Sequence, residues 1–502
     1  MNAERIAFLL YFVLVLGIGL YFFRKGRKDG ADEEQYFLGG RKMGPWVTAM
    51  SAQALDMSAW LLMGLPGTIL AFGLGQAWIG IGVVIGTVLN WVFIAKRLRK
   101  FSRAAGDAIT FPEYLSNRFL TDSPALSVLT AVVILVAFTV YVASGFVAGA
   151  SVFTTLVPSV SENTALLLFA AVILLYTFLG GFKAVCWTDF FQGLLMLVAL
   201  VSVPVLVYSK GHLDPAALDV VYTNAQDGTR YVFTRSLFDA TWQEVASGLA
   251  WGLGYCGMPH ILVRFMSIEK PSMIRKSATV AILWVILSLV CCISIAYLGR
   301  MILAGELLPA GDQKLVFVAM ARRYFVPAVS GILLAAIIAA SMSTADSQLL
   351  VASSSFTNDI YKKVLRKNAS DKELLWLGRA VVVAVAVIAY FIASSRGEGA
   401  QAIMELVTNA WGLFGAAFGP VVILSLFWRR FNQPGAVAGL ITGAAVDITW
   451  YYLLAEKTGV YELLPGFAAG LLLAVVVTLL TKPPRAEVQA LYDRATDPDY
   501  DE

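Results

Sequence analysis

Asp56 stands in the middle of a stretch that otherwise reads as a membrane span, Met50-Ser51-Ala52-Gln53-Ala54-Leu55-Asp56-Met57-Ser58-Ala59-Trp60-Leu61-Leu62-Met63-Gly64-Leu65-Pro66-Gly67. A charged side chain at the bilayer centre costs about 2.5–3.5 kcal/mol on insertion scales, so it faces a water-filled path or a partner. Its small and polar neighbours Ser51, Ala52, Gln53, Ser58 and Ala59, with Gly64-Leu65-Pro66-Gly67 behind them, predict a helix that breaks here. A helix broken at membrane depth offers carbonyls to cations and N–H groups to carboxylates. The alternative is a packed helix whose Asp56 bonds only neighbouring helices. A second run follows the apolar stretch from Gly331: Ala340-Ser341-Met342-Ser343-Thr344-Ala345-Asp346-Ser347-Gln348. Ala340, Ser343, Thr344 and Ser347 lie at i, i+3, i+4 and i+7 and so share one helical face. Hydroxyls and carbonyls suit a hard cation, which takes oxygen ligands. The competing reading is hydroxyl glue between membrane helices. The third run, Tyr176 to Gln192, holds a double glycine and then Trp187-Thr188-Asp189. It predicts a tight helical hairpin with Asp189 near one mouth of the protein.

The elements that must position these groups are membrane helices. The chain has 502 residues, 58% of them hydrophobic and 14% charged. A soluble protein carries roughly a quarter charged residues. Here the charges sit in short clusters between long apolar stretches, which predicts an all-α polytopic membrane protein and excludes a nucleic-acid-binding one. At about 20 residues per span there are roughly thirteen spans. They fall near 3–23, 45–72, 76–95, 124–156, 163–180, 184–208, 241–268, 276–300, 326–355, 374–394, 401–428, 434–455 and 463–481. With the N-terminus outside, about 28 of the 38 Lys and Arg residues fall inside, as the positive-inside rule asks. An odd span count then puts the C-terminus in the cytoplasm. The expected organisation is a transmembrane domain over 1–482 and a short cytoplasmic tail over 483–502, too short for a fused enzyme or sensor module. The segment 209–240 and the segment 301–325, with a short amphipathic helix, are the sizeable outer loops.

Spans two to six and seven to eleven make five plus five, about 45–208 and 241–428. The second set also opens on an interrupted helix, Trp251-Gly252-Leu253-Gly254-Tyr255-Cys256-Gly257-Met258-Pro259. Matching interruptions in two halves point to inverted repeats with a site at mid-membrane. One extra helix precedes the halves and two follow them. The cysteines Cys186, Cys256, Cys291 and Cys292 lack metal-ligand spacing, as do the two histidines; they read as buried structural thiols. No nucleophile–base pair is recognisable, so an enzyme is not expected, and no ring of pore-lining charges suggests a channel.

The string Gly180-Gly181-Phe182-x-Ala184-Val185-x-Trp187-Thr188-Asp189-x-x-Gln192 resembles the sodium/solute symporter family. So do Leu38-Gly39-Gly40-Arg41, Asp56-Met57-Ser58-x-Trp60 and Gly254-Tyr255-x-Gly257-x-Pro259-His260-Ile261-Leu262-x-Arg264-Phe265-Met266, which are closest to bacterial members that carry proline. The resemblance runs from about residue 10 to about residue 480. It implies a LeuT-type inverted-repeat fold in a bacterial cytoplasmic membrane, Na⁺ as coupling ion with no organic cofactor, and L-proline taken up by alternating access. It assigns a sodium site to Ala54 and Met57 through carbonyls and to Ala340, Ser343 and Thr344 through carbonyl and hydroxyls. Asp56 matches an acid tied to sodium-dependent transport. The solute site would fall to Ser58, Ala59, Trp60, Tyr141, Trp251, Tyr255 and Pro259. Broken-helix N–H groups suit a carboxylate, and aromatic faces suit a pyrrolidinium.

Two departures stand out. Ala59 replaces a usual glycine beside the solute, which keeps another amino acid or a monocarboxylate open as substrate. Asp346 replaces a serine, and with Asp189, Ser343 and Ser347 it would make a second cation or proton site. Two close carboxylates repel unless something neutralises them.

Overall fold

The computed structural model describes residues 3–29, 37–121, 123–395 and 400–500. Apart from one small hairpin it is helical, because lipid leaves a spanning backbone no partners but its own. Helix α1 is Ala3–Asp29. α2 (Pro45–Met57) and α3 (Gly64–Phe72) are separated by a short turn over Ala59–Leu61. There follow α4 (Leu74–Ala104), α5 (Phe111–Arg118), α6 (Ala125–Leu156) and α7 (Glu162–Lys210). The second half begins with α8 (Trp242–Gly254) and α9 (Pro259–Ser267). It continues through α10 (Pro271–Leu307), the short α11 (Val316–Tyr324), α12 (Pro327–Leu365), α13 (Asp371–Ser395) and α14 (Ala400–Phe427). Helices α15 (Gln433–Leu453), α16 (Leu463–Leu480) and α17 (Ala486–Thr496) close the chain.

Among the described residues nine helices are long and apolar enough to cross a membrane, and the bent pair α2–α3 makes a tenth. The interruptions come where the sequence predicts them, each for a local reason. α2 ends at Met57 because Ser58 takes φ +29°, a region L residues rarely adopt. The two pieces meet at 66°. α9 begins at Pro259, whose missing N–H suits the first helical turn; the residue before it, Met258, is forced to an extended ψ of 105°. The expected spans 163–180 and 184–208 are two arms of α7, joined at Gly181, whose φ of +65° lies in the left-handed region.

Small residues bring the halves together. At the α4–α8 crossing, a Cβ added to Gly82 or Gly86 would collide with the backbone of Gly248 or Gly252. Such contacts replace the hydrophobic drive that lipid removes. α12 and α14 are the most enclosed spans, whereas α13 faces outward over most of its surface. The segment 209–240 carries a two-stranded hairpin, β1 (Tyr222–Thr223) and β2 (Arg230–Tyr231), with Tyr222 opposite Tyr231. The tail is not loose: α17 packs back on the end of α4. Arg429 donates to both oxygens of Asp493 (2.7 and 2.6 Å), and Lys100 donates to the carbonyls of Asp497 and Pro498. Three cysteines are buried and Cys256 is half-buried, all as free thiols.

Candidate ion and solute site

Where α2 stops, its last carbonyls lose the N–H groups that another helical turn would have supplied. Helix α12 supplies hydroxyls instead. Ser343 Oγ donates to the Ala54 carbonyl (3.0 Å) and to Ala340 (3.1 Å), and Thr344 Oγ1 donates to Leu55 (2.7 Å) and Ala340 (3.0 Å). Four of the five residues expected at a sodium site thus meet in one fully buried place: Ala54, Ala340, Ser343 and Thr344. Met57, the fifth, is the last residue of α2 and equally buried. The donors are all oxygen and uncharged, a set that fits a hard monovalent ion. Rotating the two hydroxyls off the carbonyls would turn their lone pairs, and the freed carbonyls, to such an ion.

Asp56 lies one residue before Met57 and points to the other broken helix. Tyr255 Oη donates to Asp56 Oδ2 at 2.5 Å, with both groups buried. This bond joins the two interruptions directly. Around it stand the expected aromatics. The rings of Trp60 and Trp251 lie 5.8 Å apart. Tyr141 is buried, with its hydroxyl unpartnered. Ser58 caps the turn after the break, accepting from the Trp60 N–H. Ala59 is buried beside it, and Pro259 opens α9.

The structure adds residues to which the sequence reading gave no role. Trp411 of α14 donates from Nε1 to the Trp251 carbonyl (2.9 Å), stacks on Trp251 and meets Tyr255 edge-on. Tyr461 stacks on the same indole at 5.6 Å. His260 is fully buried between Phe138 and Tyr141, both ring nitrogens lacking a hydrogen bond. Their signal is faint in a single sequence, since aromatics in a span are ordinarily packing.

Arg264 is the larger omission, for a guanidinium inside a predicted span carries the same warning as Asp56. It bonds two of the four residues expected at a second cation site. Its Nη2 donates to Ser347 Oγ (2.6 Å) and Asp189 Oδ2 (3.3 Å), and its Nε donates to Ser51 Oγ (3.2 Å). Ser51 in turn donates to Asp189 Oδ2 (2.7 Å). The guanidinium lies over the Phe182 ring at 4.7 Å. Asp346 is buried next to this group, with neither oxygen hydrogen-bonded. Of the four residues named for a second cation site, Asp189 and Ser347 meet at this guanidinium, whereas Ser343 turns to Ala54 and Ala340.

Two broken helices, with oxygens at one break and aromatics at both, are the architecture of a carrier. The model of the Sodium:solute symporter family matches residues 36–443. The chain belongs to that family. Relatives of this symporter include a protein named sodium/proline symporter in Haemophilus influenzae, 41% identical over 98% of each chain. Another is a protein named high-affinity proline transporter PutP in Bacillus subtilis, 42% identical over 92% of this chain and 95% of the relative. Among solved structures, a substrate-bound, outward-open Na⁺-coupled sialic acid symporter superposes with a TM-score of 0.73, 18% identity, and coverage of 97% of this chain and 99% of its own. The nucleobase-cation symporter Mhp1 in a closed conformation gives 0.54 at 14% identity, over 91% and 98%. At those identities the likeness shows the fold, and the symporter is a multi-pass membrane protein of that fold.

Proposed function

We propose that this symporter couples inward movement of Na⁺ to uptake of L-proline across the bacterial cytoplasmic membrane. The observation that carries the reading is the pairing of the two breaks. The Ser343 and Thr344 hydroxyls hold carbonyls at the end of α2, and Asp56, next to those carbonyls, is bonded to Tyr255 at the other break. An ion drawn between α2 and α12 would set the position of Asp56 and hence of Tyr255 and the aromatics around it. Binding of ion and solute is then one linked event, and each must raise the other's affinity by the same factor. Ala54, Met57, Ala340, Ser343 and Thr344 hold the ion. Ser58, Ala59, Trp60, Tyr141, Trp251, Tyr255 and Pro259 hold the solute, with the α9 N-terminus suited to its carboxylate and the indoles to its ring and ammonium. Proline is the substrate that the two named relatives support.

In this reading the protein has thirteen spans, the N-terminus outside and the C-terminus inside. The halves 45–208 and 241–428 are inverted repeats that rock about the site. Asp189, Asp346, Ser343 and Ser347 form a second station for a cation or a proton, shared with Arg264. The test is uptake of radiolabelled L-proline into proteoliposomes with an imposed inward sodium gradient. Accumulation above the equilibrium level, abolished by unlabelled proline or by collapsing the gradient, supports the reading. Sodium-driven uptake of another solute in its place would turn attention to Ala59.

A further inference from the structure

Helices α15 and α16 lie outside the paired halves, and nothing in the transport cycle just described uses them. They nevertheless reach the aromatic wall of the site. Tyr461, two residues before α16, stacks on Trp251 and donates from its hydroxyl to the Thr408 carbonyl of α14 (2.8 Å). Beside it are two carboxylates, Asp447 of α15 and Glu462, which are 3% and 4% exposed. Asp447 Oδ1 and Glu462 Oε1 have no hydrogen-bond partner, and among the described residues no Lys, Arg or His pairs with either group.

The three side chains meet against one glycine of α14. A methyl group placed on Gly412 would lie 2.9 Å from Asp447 Oδ1, 3.4 Å from the Tyr461 hydroxyl and 3.5 Å from Glu462 Cγ. Asp447 Oδ1 and the Tyr461 hydroxyl therefore pack close against Gly412 of α14, with the Glu462 side chain alongside. The Tyr461 hydroxyl has spent its proton on Thr408, so only its lone pairs remain to offer to the two carboxylates' surroundings. Two desolvated carboxylates with no counter-charge are mutually destabilising. Burial pushes the Glu462 carboxyl up to about 7. A group so placed is stabilised by a positive charge, and oxygen ligands select a hard ion.

We propose that Asp447, Glu462 and Tyr461 form a binding site for a small monovalent cation, sodium during transport, separate from the one at Ser343 and Thr344. The choice of sodium rests on the transport reading above; the site itself rests on these three side chains. A cation held there fixes Tyr461 against Trp251, so an ion on α15 and α16 sets one wall of the solute site.

The test is equilibrium binding of ²²Na⁺ to the full chain in detergent, at ionic strength held constant with choline chloride. It is made in a Ser343→Ala/Thr344→Ala/Asp346→Ser background that removes the hydroxyls of the central site and the Asp346 carboxylate of the station beside Arg264. Residual binding is expected in that background. Removing one member of a buried charge pair costs 2 kcal/mol or more, so adding Asp447→Asn weakens the residual binding by roughly thirtyfold or more. Gly412→Ala pushes on Asp447 Oδ1 without altering a charge and is expected to weaken the residual binding too. Asn is isosteric with Asp and relieves a buried charge, so this variant should remain folded and monodisperse. No residual binding in the background, or residual binding that neither Asp447→Asn nor Gly412→Ala weakens, overturns the proposal. Proline uptake by the unmodified chain, measured in parallel, separates the two readings. Its absence would refute proline transport without touching the binding result, and its presence with unchanged ²²Na⁺ binding would refute only this site.

Discussion

Tyr255→Phe isolates the link between the two broken helices. The substitution removes one hydroxyl and keeps the ring, so the edge-on contact with Trp411 (centroids 5.1 Å apart) survives. What is lost is the 2.5 Å bond to Asp56, in a place where neither side chain reaches solvent. A hydrogen bond to a charged group contributes about 1.5–3 kcal/mol, which corresponds to roughly 10- to 150-fold in an equilibrium constant. Asp56 sits next to Met57 and two residues from Ala54, at the carbonyl end of α2 that Ser343 and Thr344 grip. Loosening it should therefore weaken the ion site first. Expected is a rise of about tenfold or more in the sodium concentration giving half-maximal proline uptake, with smaller losses at saturating sodium. The assay is initial-rate uptake in proteoliposomes over a range of sodium concentrations, normalised to the amount of protein inserted. A sodium dependence within twofold of the unmodified chain, at equal insertion, would refute the claim that this bond couples the two breaks.

Other substitutions probe separate parts of the account. Thr344→Val keeps the shape but loses the bonds to Leu55 and Ala340; sodium affinity should fall by about tenfold, read as half-saturating sodium in the same uptake assay. Arg264→Lys cannot reach Ser347, Asp189 and Ser51 at once, because an ammonium is a compact point charge. It should lower the maximal uptake rate with the protein still inserted, and a rate equal to the unmodified chain's would count against a role for this cluster. Gly86→Leu places a side chain into the backbone of Gly252 and should abolish a monodisperse, detergent-stable protein on gel filtration. Arg429 holds the Asp493 carboxyl below the usual carboxylate range, so their pairing is present at neutral pH and fades only as acid titrates Asp493. The pair is exposed, and Arg429→Ala should leave α17 docked through Phe101 and Tyr492. Protection of the tail from limited proteolysis at neutral pH checks this.

How much of this was legible depended on how local each cause is. Pro259 breaks a helix through its own missing N–H, and Asp56 among small residues marks the other break; both appear as the sequence predicts. The face shared by Ala340, Ser343 and Thr344 follows from helical spacing, and it faces the end of α2. Arg264 was harder to interpret because its meaning lies in partners on α2, α7 and α12, far apart in sequence. Trp411 looks like an ordinary span aromatic, and Tyr461 like a loop residue, until α14 and α16 are packed on α8. The tail gave no apolar run to foretell a docked helix, since α17 is held by Arg429, by Lys100 and by the Phe101–Tyr492 edge contact, all brought near by the fold.

The central claim is that sodium at the end of α2 and proline among the aromatics occupy one linked site. The direct measurement is equilibrium binding of radiolabelled proline to the purified chain in sodium chloride and in choline chloride, paired with ²²Na⁺ binding with and without proline. The account predicts that sodium raises proline affinity and that proline raises sodium affinity by the same factor, with both effects lost together in Ser343→Ala/Thr344→Ala. Proline binding of equal strength in sodium and in choline would contradict it.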